Sequence, residues 1–269
     1  PTRNPAWVRG AASALKGRVG QYLFVSTISV FRDYSKPGMD ENGPLHAPGA
    51  EANWGSNDGQ YYGPNKVQCE LDARAGFGED KVTIVRPGLI VGPGDLSDRF
   101  SYWPVRIDKG GEILAPGTPS DPVQYVDVHD LSEWIVRCGE NHTLGTFNAT
   151  GPKAPTNIAE MLYGIKAVTT SDARFTFVPA EFLREQQVRA WSEMPVWQPA
   201  MGPTLGFMQV NCQKAYAAGL TFRPLADTAK ATLDWYKSRP AAEQEKARAG
   251  IAPEKEQAVL AAWHAKAGR

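Results

Sequence analysis

Tyr22-Leu23-Phe24-Val25-Ser26-Thr27-Ile28 and, further on, Tyr61-Tyr62-Gly63-Pro64-Asn65-Lys66 organise the reading of this chain. The first stretch belongs to an apolar run that predicts a buried parallel strand over residues 21–31. The second sets Tyr62 and Lys66 four residues apart, so one helical turn brings phenol and amine to the same side. An ammonium favours the phenolate form of a nearby phenol, which eases proton exchange with an alcohol or a carbonyl. A hydroxyl at the end of the preceding strand, Ser26 or Thr27, completes a Ser/Thr–Tyr–Lys constellation. Tyr-x-x-x-Lys also arises by chance in many proteins, so its surroundings have to decide.

Those surroundings read as alternating strands and helices. Pro5 to Leu15 predicts a helix, and Gly17-Arg18-Val19-Gly20 after it reads as a helix stop. Residues 33–60 are a long loop rich in Gly, Pro, Asn and Asp. A helix is expected from Gly63 to Ala75, with Pro64 tolerated near its start. A strand follows over Lys81 to Pro87. Residues 92–122 form a second Gly/Pro-rich region with a short helix around Tyr102 to Lys109. Asp130 to Cys138 predicts a helix with Leu131, Trp134 and Ile135 on one face. Thr146 to Asn148 reads as a short strand, Thr156 as the cap of a helix, and Arg174 to Val178 as a strand. Residues 190–208, dense in Trp, Met and Pro, suggest a lid or substrate-domain surface. Helices are expected over Asp227 to Lys237 and from Pro253 to Lys266.

Val25-Ser26-Thr27-Ile28-Ser29-Val30-Phe31, the Tyr-x-x-x-Lys pair and Val82-Thr83-Ile84-Val85-Arg86-Pro87-Gly88-Leu89-Ile90-Val91-Gly92-Pro93 arrive in one order. They are followed by Val126-Asp127-Val128-His129-Asp130-Leu131 and Gly145-Thr146-Phe147-Asn148-Ala149-Thr150-Gly151. In that order the chain resembles the extended short-chain dehydrogenase/reductase superfamily, the NAD-dependent epimerase/dehydratase group, over roughly residues 1–237. The resemblance implies an α/β fold: a Rossmann-like parallel sheet with helices on both faces, its N-terminal strands missing, plus a smaller substrate-binding part. Residues 1–150 would be the C-terminal half of the Rossmann-like domain, with a substrate loop inserted at 92–122. Residues 151–240 would form the substrate-binding part and 241–269 a C-terminal helical extension. The family's opening Gly-x-x-Gly-x-x-Gly turn, which holds a dinucleotide pyrophosphate at a helix N-terminus, is not found in this sequence. With Pro1 as its first residue, the sequence reads either as a fragment or as a protein that dispensed with half of its cofactor site.

By the same resemblance Tyr62 is the general acid/base and Lys66 also holds the nicotinamide ribose of NAD or NADP. Thr27, three positions before Val30, matches the family's catalytic hydroxyl, with Ser26 as the alternative and a possible substrate contact. Pro87 and Gly88 resemble the backbone beside the nicotinamide amide, although a strand end has the same chemistry. Two departures bear on substrate. Leu89 and Val91 stand where sugar-nucleotide enzymes carry Asn and Tyr, and Val123 stands where they carry an Arg for the diphosphate. A diphosphate without a bidentate partner binds poorly, which disfavours a nucleotide sugar. Arg99, Tyr102 and Trp103 offer aromatic walls and a cation for a smaller substrate, or else Tyr102 and Trp103 pack the core.

Twenty-nine basic residues balance twenty-nine acidic ones among 269, so no global field attracts nucleic acid or an anionic membrane. Cys69, Cys138 and Cys212 show neither metal nor disulfide spacing, which suits a reducing cytoplasm. No apolar run approaches the ~20 residues of a membrane span. Asp127 or Asp130 reads as a helix cap, and a lone His129 is weak evidence of metal, so no metal site is expected. A strand at 22–28 without its usual neighbour would be an apolar edge, which predicts a homo-oligomer or a partner segment covering it. The expected function is NAD(P)-dependent oxidation, reduction or epimerisation of a small alcohol or ketone. The alternatives are a cofactor-independent hydrolase or lyase reusing the Tyr/Lys site, and a non-catalytic scaffold.

Overall fold

The computed structural model describes residues 4–244, 246–266 and 268. Residues 1–3, 245, 267 and 269, which fall in the expected first domain and C-terminal extension, lie outside the described residues. The first elements are α1 (Pro5–Leu15), β1 (Tyr22–Val25), α2 (Tyr62–Phe77), β2 (Val82–Pro87) and β3 (Leu89–Val91). Next come α3 (Tyr102–Asp108), β4 (Glu112–Pro116), β5 (Pro122–Asp127), α4 (Val128–Glu140), β6 (Gly145–Ala149) and β7 (Gly151–Asn157). The remainder is α5 (Ile158–Lys166), β8 (Arg174–Val178), α6 (Ala180–Glu185), α7 (Gln213–Ala217), α8 (Leu225–Ser238), α9 (Ala241–Gln244) and α10 (Pro253–Lys266).

The chain divides into two compact units that interleave along the sequence. Unit 1 takes the residues up to Gly88, Asp130–Gly151 and Leu205–Thr221; unit 2 takes Leu89–His129, Pro152–Thr204 and everything from Phe222 onward. Residues 89–129 fall in unit 2, whereas the sequence suggested a substrate loop at 92–122 inserted within the first domain.

Unit 1 is built on a parallel sheet of order β1-β2-β6. Val8 and Ala12 of α1 and Cys69, Ala73 and Phe77 of α2 share one buried cluster with Tyr22, Phe24, Val82 and Ile84 of the sheet. Val85, next to Ile84, points to the other face, and its register partner is Phe147 of β6. There Phe147 meets the ring of Trp134 on α4, 5.7 Å away and edge-on. Helices therefore cover both faces of the sheet, as expected of a Rossmann-like half. Among the described residues β1 has a strand neighbour on one side, and Val25 at its end is 38% exposed.

The apolar run at 21–31 is not one strand. Pairing stops at Val25, and a 3-10 turn over Ile28–Val30 follows. Thr27 causes the break, because its Oγ1 accepts the Ser29 N–H at 3.1 Å and offers the backbone an alternative to the ladder. α1 ends where Gly17 takes φ 74°, so the Gly17–Gly20 stretch is the helix stop it was read as.

A buried ion pair ties α2 to the sheet. Arg86 on β2 grips Glu70 with one edge of its guanidinium, Nε at 2.9 Å and Nη2 at 2.7 Å, and the two side chains are 4% and 5% exposed. Ser26 Oγ donates to the same carboxylate at 2.6 Å, and Arg86 Nη1 donates to the Glu41 carbonyl at 3.0 Å.

Unit 2 holds a sheet of order β3-β5-β7 and a separate parallel pair, β4 with β8. β4 went unseen in the sequence because Gly110, Gly111 and Gly117 bracket it, all at positive φ. The expected C-terminal extension is integral to this unit. Glu256 of α10 accepts from Arg106 Nε of α3 at 2.8 Å and from the Leu114 N–H of β4 at 3.1 Å. The cap of α5 is Asn157, not Thr156: its Oδ1 receives the Glu160 N–H, while Glu160 returns the contact to the Asn157 N–H. Thr156 Oγ1 only donates to the Glu160 carboxylate. Asp127 does act at a helix start, with Oδ1 accepting the His129 N–H at 2.7 Å.

Replacing Glu70 with Gln leaves Arg86 buried without a counter-charge. Denaturant unfolding should lose about 3–5 kcal/mol, with Glu70→Met/Arg86→Leu recovering most of it.

Candidate active site

Tyr62 is the first residue of α2, and it enters the helix from a 3-10 turn over Gly59–Tyr61 whose cap is Asp58. Gly63 is the reason this end of the helix can reach the Thr27 turn. A Cβ built on Gly63 would stand 2.3 Å from the Ser29 carbonyl oxygen and 3.0 Å from the ring of His46. Only glycine permits that approach, and it sets the first turn of α2 against Ser29 and the imidazole. His46, held by its N–H on the Val30 carbonyl at 2.9 Å, was not singled out in the sequence. Partial burial, then the nearby Arg32 charge, lower its pKa.

Lys66 lies one turn further on, the same side of the helix as Tyr62. Its Nζ donates to the Val25 carbonyl at 2.8 Å and sits 4.8 Å from the centre of the Phe24 ring. The side chain is 4% exposed. Burial brings its pKa down to about 8, against a smaller opposing pull from Cys69 and Glu70. An ammonium carries three N–H donors, so two remain beyond the Val25 bond. Glu70 continues the same stripe at another four residues, and that i, i+4, i+8 spacing was the signal that could have revealed it.

The two hydroxyl candidates part company here. Ser26 is 3% exposed and its hydroxyl donates to Glu70, linking the end of β1 to α2. Thr27 is 7% exposed, and its Oγ1 caps the Ile28–Val30 turn and donates to Ser29 Oγ at 3.2 Å. Pro87 ends β2, and Gly88 follows it against Thr150: a Cβ at Gly88 would meet Thr150 Oγ1 at 2.6 Å. That buried Thr150 oxygen has no partner among the described residues. Ser26, Thr27, Tyr62, Lys66, Pro87 and Gly88 all belong to unit 1.

Arg99, Tyr102 and Trp103 belong to unit 2. Trp103 is wholly buried, with its indole N–H on the Pro195 carbonyl at 2.7 Å. It is a core residue with no surface to offer a substrate, which corrects the expectation of an aromatic wall. Tyr102 packs edge-on to it at 4.9 Å and closes against Gly250, and burial raises its phenol pKa. Arg99 lies over the ring of Trp191, 5.4 Å from its centre. Leu89, Val91 and Val123, the departures from the family pattern, are buried apolar strand residues. Among the described residues no cluster of three His, Cys, Asp or Glu side chains is placed to hold a metal ion.

Comparison with solved structures fixes the fold. A putative epimerase from Burkholderia cenocepacia J2315 aligns with 90% of this chain and 69% of its own, at 18% identity and a TM-score of 0.57. A dTDP-4-dehydrorhamnose reductase from Clostridium acetobutylicum aligns with 86% of this chain and 71% of its own, at 17% identity and a TM-score of 0.58. The Bordetella bronchiseptica enzyme WbmH, in complex with NAD+, covers 86% and 67% at 14% identity, with a TM-score of 0.58. The chain has the fold of the NAD(P)-dependent epimerases and reductases. No protein-family model matches it, and no curated protein matches it by sequence. No helix among the described residues is long and apolar enough to cross a membrane.

The lowered pKa of Lys66 has a stability consequence. Between about 8 and 10.5 the unfolded chain binds the lysine proton and the folded chain has lost it. Stability contributed by this group therefore rises with pH across that window and is flat below it. Measured as unfolding free energy against pH, the difference between Lys66→Met and the parent should shrink from pH 8 to 10.5.

Proposed function

We propose that this chain acts in NAD(P)-dependent oxidation, reduction or epimerisation of a small alcohol or ketone. The observation that carries the reading is Lys66: a nearly sealed amine with a pKa of about 8, one turn from Tyr62, with two N–H donors left over. That donor set suits the ribose hydroxyls of a nicotinamide nucleoside, and the Thr150 hydroxyl, unpartnered among the described residues and packed against Gly88, lies at the end of β2. Tyr62 and Lys66 would hold the nicotinamide ribose, with Pro87 and Gly88 beside the amide. The cofactor, when bound, supplies or accepts the hydride.

The chain's own residues handle the proton. Tyr62 gives its phenolic proton to the oxygen of a ketone being reduced, or takes the proton of an alcohol being oxidised. Lys66 in its charged form stabilises the phenolate left behind, and that support fades as the pH passes its lowered pKa. Thr27 hydrogen-bonds the substrate oxygen and holds it towards Tyr62. Support for a small substrate over a nucleotide sugar comes from Leu89, Val91 and Val123. All three are apolar and buried where a diphosphate and its sugar would want an amide, a phenol and a guanidinium. The second reading, a nucleotide-sugar enzyme, is favoured by the dTDP-4-dehydrorhamnose reductase among the solved structures of this fold.

The test is stopped-flow oxidation of NADH or NADPH against panels of small ketones and of nucleotide-4-ketosugars. Turnover on a small ketone should fall about 10²–10⁴-fold in Tyr62→Phe, a far larger loss than the weakening of cofactor binding read by nicotinamide fluorescence. Turnover confined to ketosugars selects the second reading, and absence of nucleotide binding rejects both.

A further inference from the structure

Residues 180–204 of unit 2 line an open-mouthed cavity, of about 490 Å³, which no part of the proposed chemistry uses. Leu183 of α6, Val188 and Trp197 are buried and give it an apolar floor. Pro199, Met201 and Pro203 extend the apolar lining. A single charged side chain reaches it, Arg184, and no carboxylate does. The guanidinium of Arg184 is exposed and has no ion pair or side-chain hydrogen bond among the described residues.

The wall of this cavity is held in shape at a cost. Gln187, Trp191 and Val196 all sit at positive φ, 54°, 65° and 66°. For a β-branched residue such as Val196 that conformation is a genuine outlier, which persists only when packing over-determines it. Packing does so here: Met194, Val196 and Trp197 are 0%, 0% and 2% exposed. The indole N–H of Trp197 donates to Asp121 Oδ2 at 2.7 Å, and the Trp191 N–H reaches the carbonyls of Met194 and Trp197. Thr204 Oγ1 donates to the Pro199 carbonyl at 2.7 Å and ties down the far rim. The cavity is therefore preformed, and a ligand entering it need not order a loop.

We propose that this cavity binds a small apolar carboxylate. Its ring or short chain lies on Leu183, Val188 and Trp197, and its carboxylate meets the Arg184 fork with Gln198 beside it. The chemistry selects that class. A volume of this size takes a ligand of small-molecule dimensions, and its apolar floor rejects a sugar or a polyol. A cationic ligand would face Arg184 with no acidic group in return. A phosphorylated one would bring two charges to one guanidinium. A monoanion with an apolar body leaves neither deficit.

Isothermal titration with naphthylacetate and its neutral isostere naphthylacetamide tests the assignment on the intact chain. Naphthylacetate should saturate a single site and bind about tenfold more tightly than the amide, the worth of one charge-assisted contact. Arg184→Gln, a substitution at an exposed position, should erase that preference and leave the amide's affinity unchanged. Tyr62→Phe should leave both affinities unchanged, so failure of the proposed catalytic reading would not touch this result. Equal affinities for the two probes, a carboxylate preference that survives in Arg184→Gln, loss of binding in Tyr62→Phe, or no binding of either probe would each overturn the proposal.

Discussion

The Glu70–Arg86 pair is the constraint on which unit 1 turns. A carboxylate and a guanidinium this deeply buried are tolerable only when they are paired and hydrogen-bonded, and here they are. Glu70 takes two bonds from Arg86 and one from Ser26, while Arg86 also gives Nη1 to the Glu41 carbonyl and lays its plane 5.3 Å from the Phe31 ring centre. One interaction thereby joins the helix α2, the strand β2, the end of β1 and the long loop before α2. It fixes the rotation of α2 about its axis, and rotation decides where Lys66 and Tyr62 point. The desolvation cost of such a pair makes it a weak source of net stability. Its contribution here is geometric.

With α2 locked, the environment of Lys66 follows. The amine is drawn across the end of β1 to the Val25 carbonyl and over the Phe24 ring, where burial outweighs the neighbouring acidic groups. The same locking lets Gly63 meet the Ser29 carbonyl, which brings the Tyr62 end of the helix to the Thr27 turn. Thr27 breaks the strand and stands at the break. Local competition for one N–H thus ends an apolar run and starts the turn that faces α2.

Unit 2 uses a related device for a different end. Glu256 of the last helix joins Arg106 and the Leu114 N–H, and Asp98 joins Arg239 at 2.7 Å and the Arg248 N–H at 3.1 Å. Buried carboxylates bind the C-terminal helices into the unit. The positive-φ wall at 187–196 rests on this same kind of over-determined packing.

The sequence by itself determined the one-turn spacing of Tyr62 and Lys66 and the bounds of several elements: those of α1, β8 and α10 could be read directly from apolar spacing, prolines and glycines. The parallel sheet with helices on both faces came from the order of its motifs, through their resemblance to a known superfamily. The bond from Ser26 to Glu70, the burial of Trp103, the β4 strand between its glycines and the apposition of Gly63 to Ser29 could not be read there. Adjacent hydroxyls have the same chemistry until a distant carboxylate claims one of them. An aromatic ring is equally suited to a wall or a core until its neighbours close over it. Only the tertiary structure decided these points, because desolvation and hydrogen-bond competition act between residues that sequence distance keeps apart.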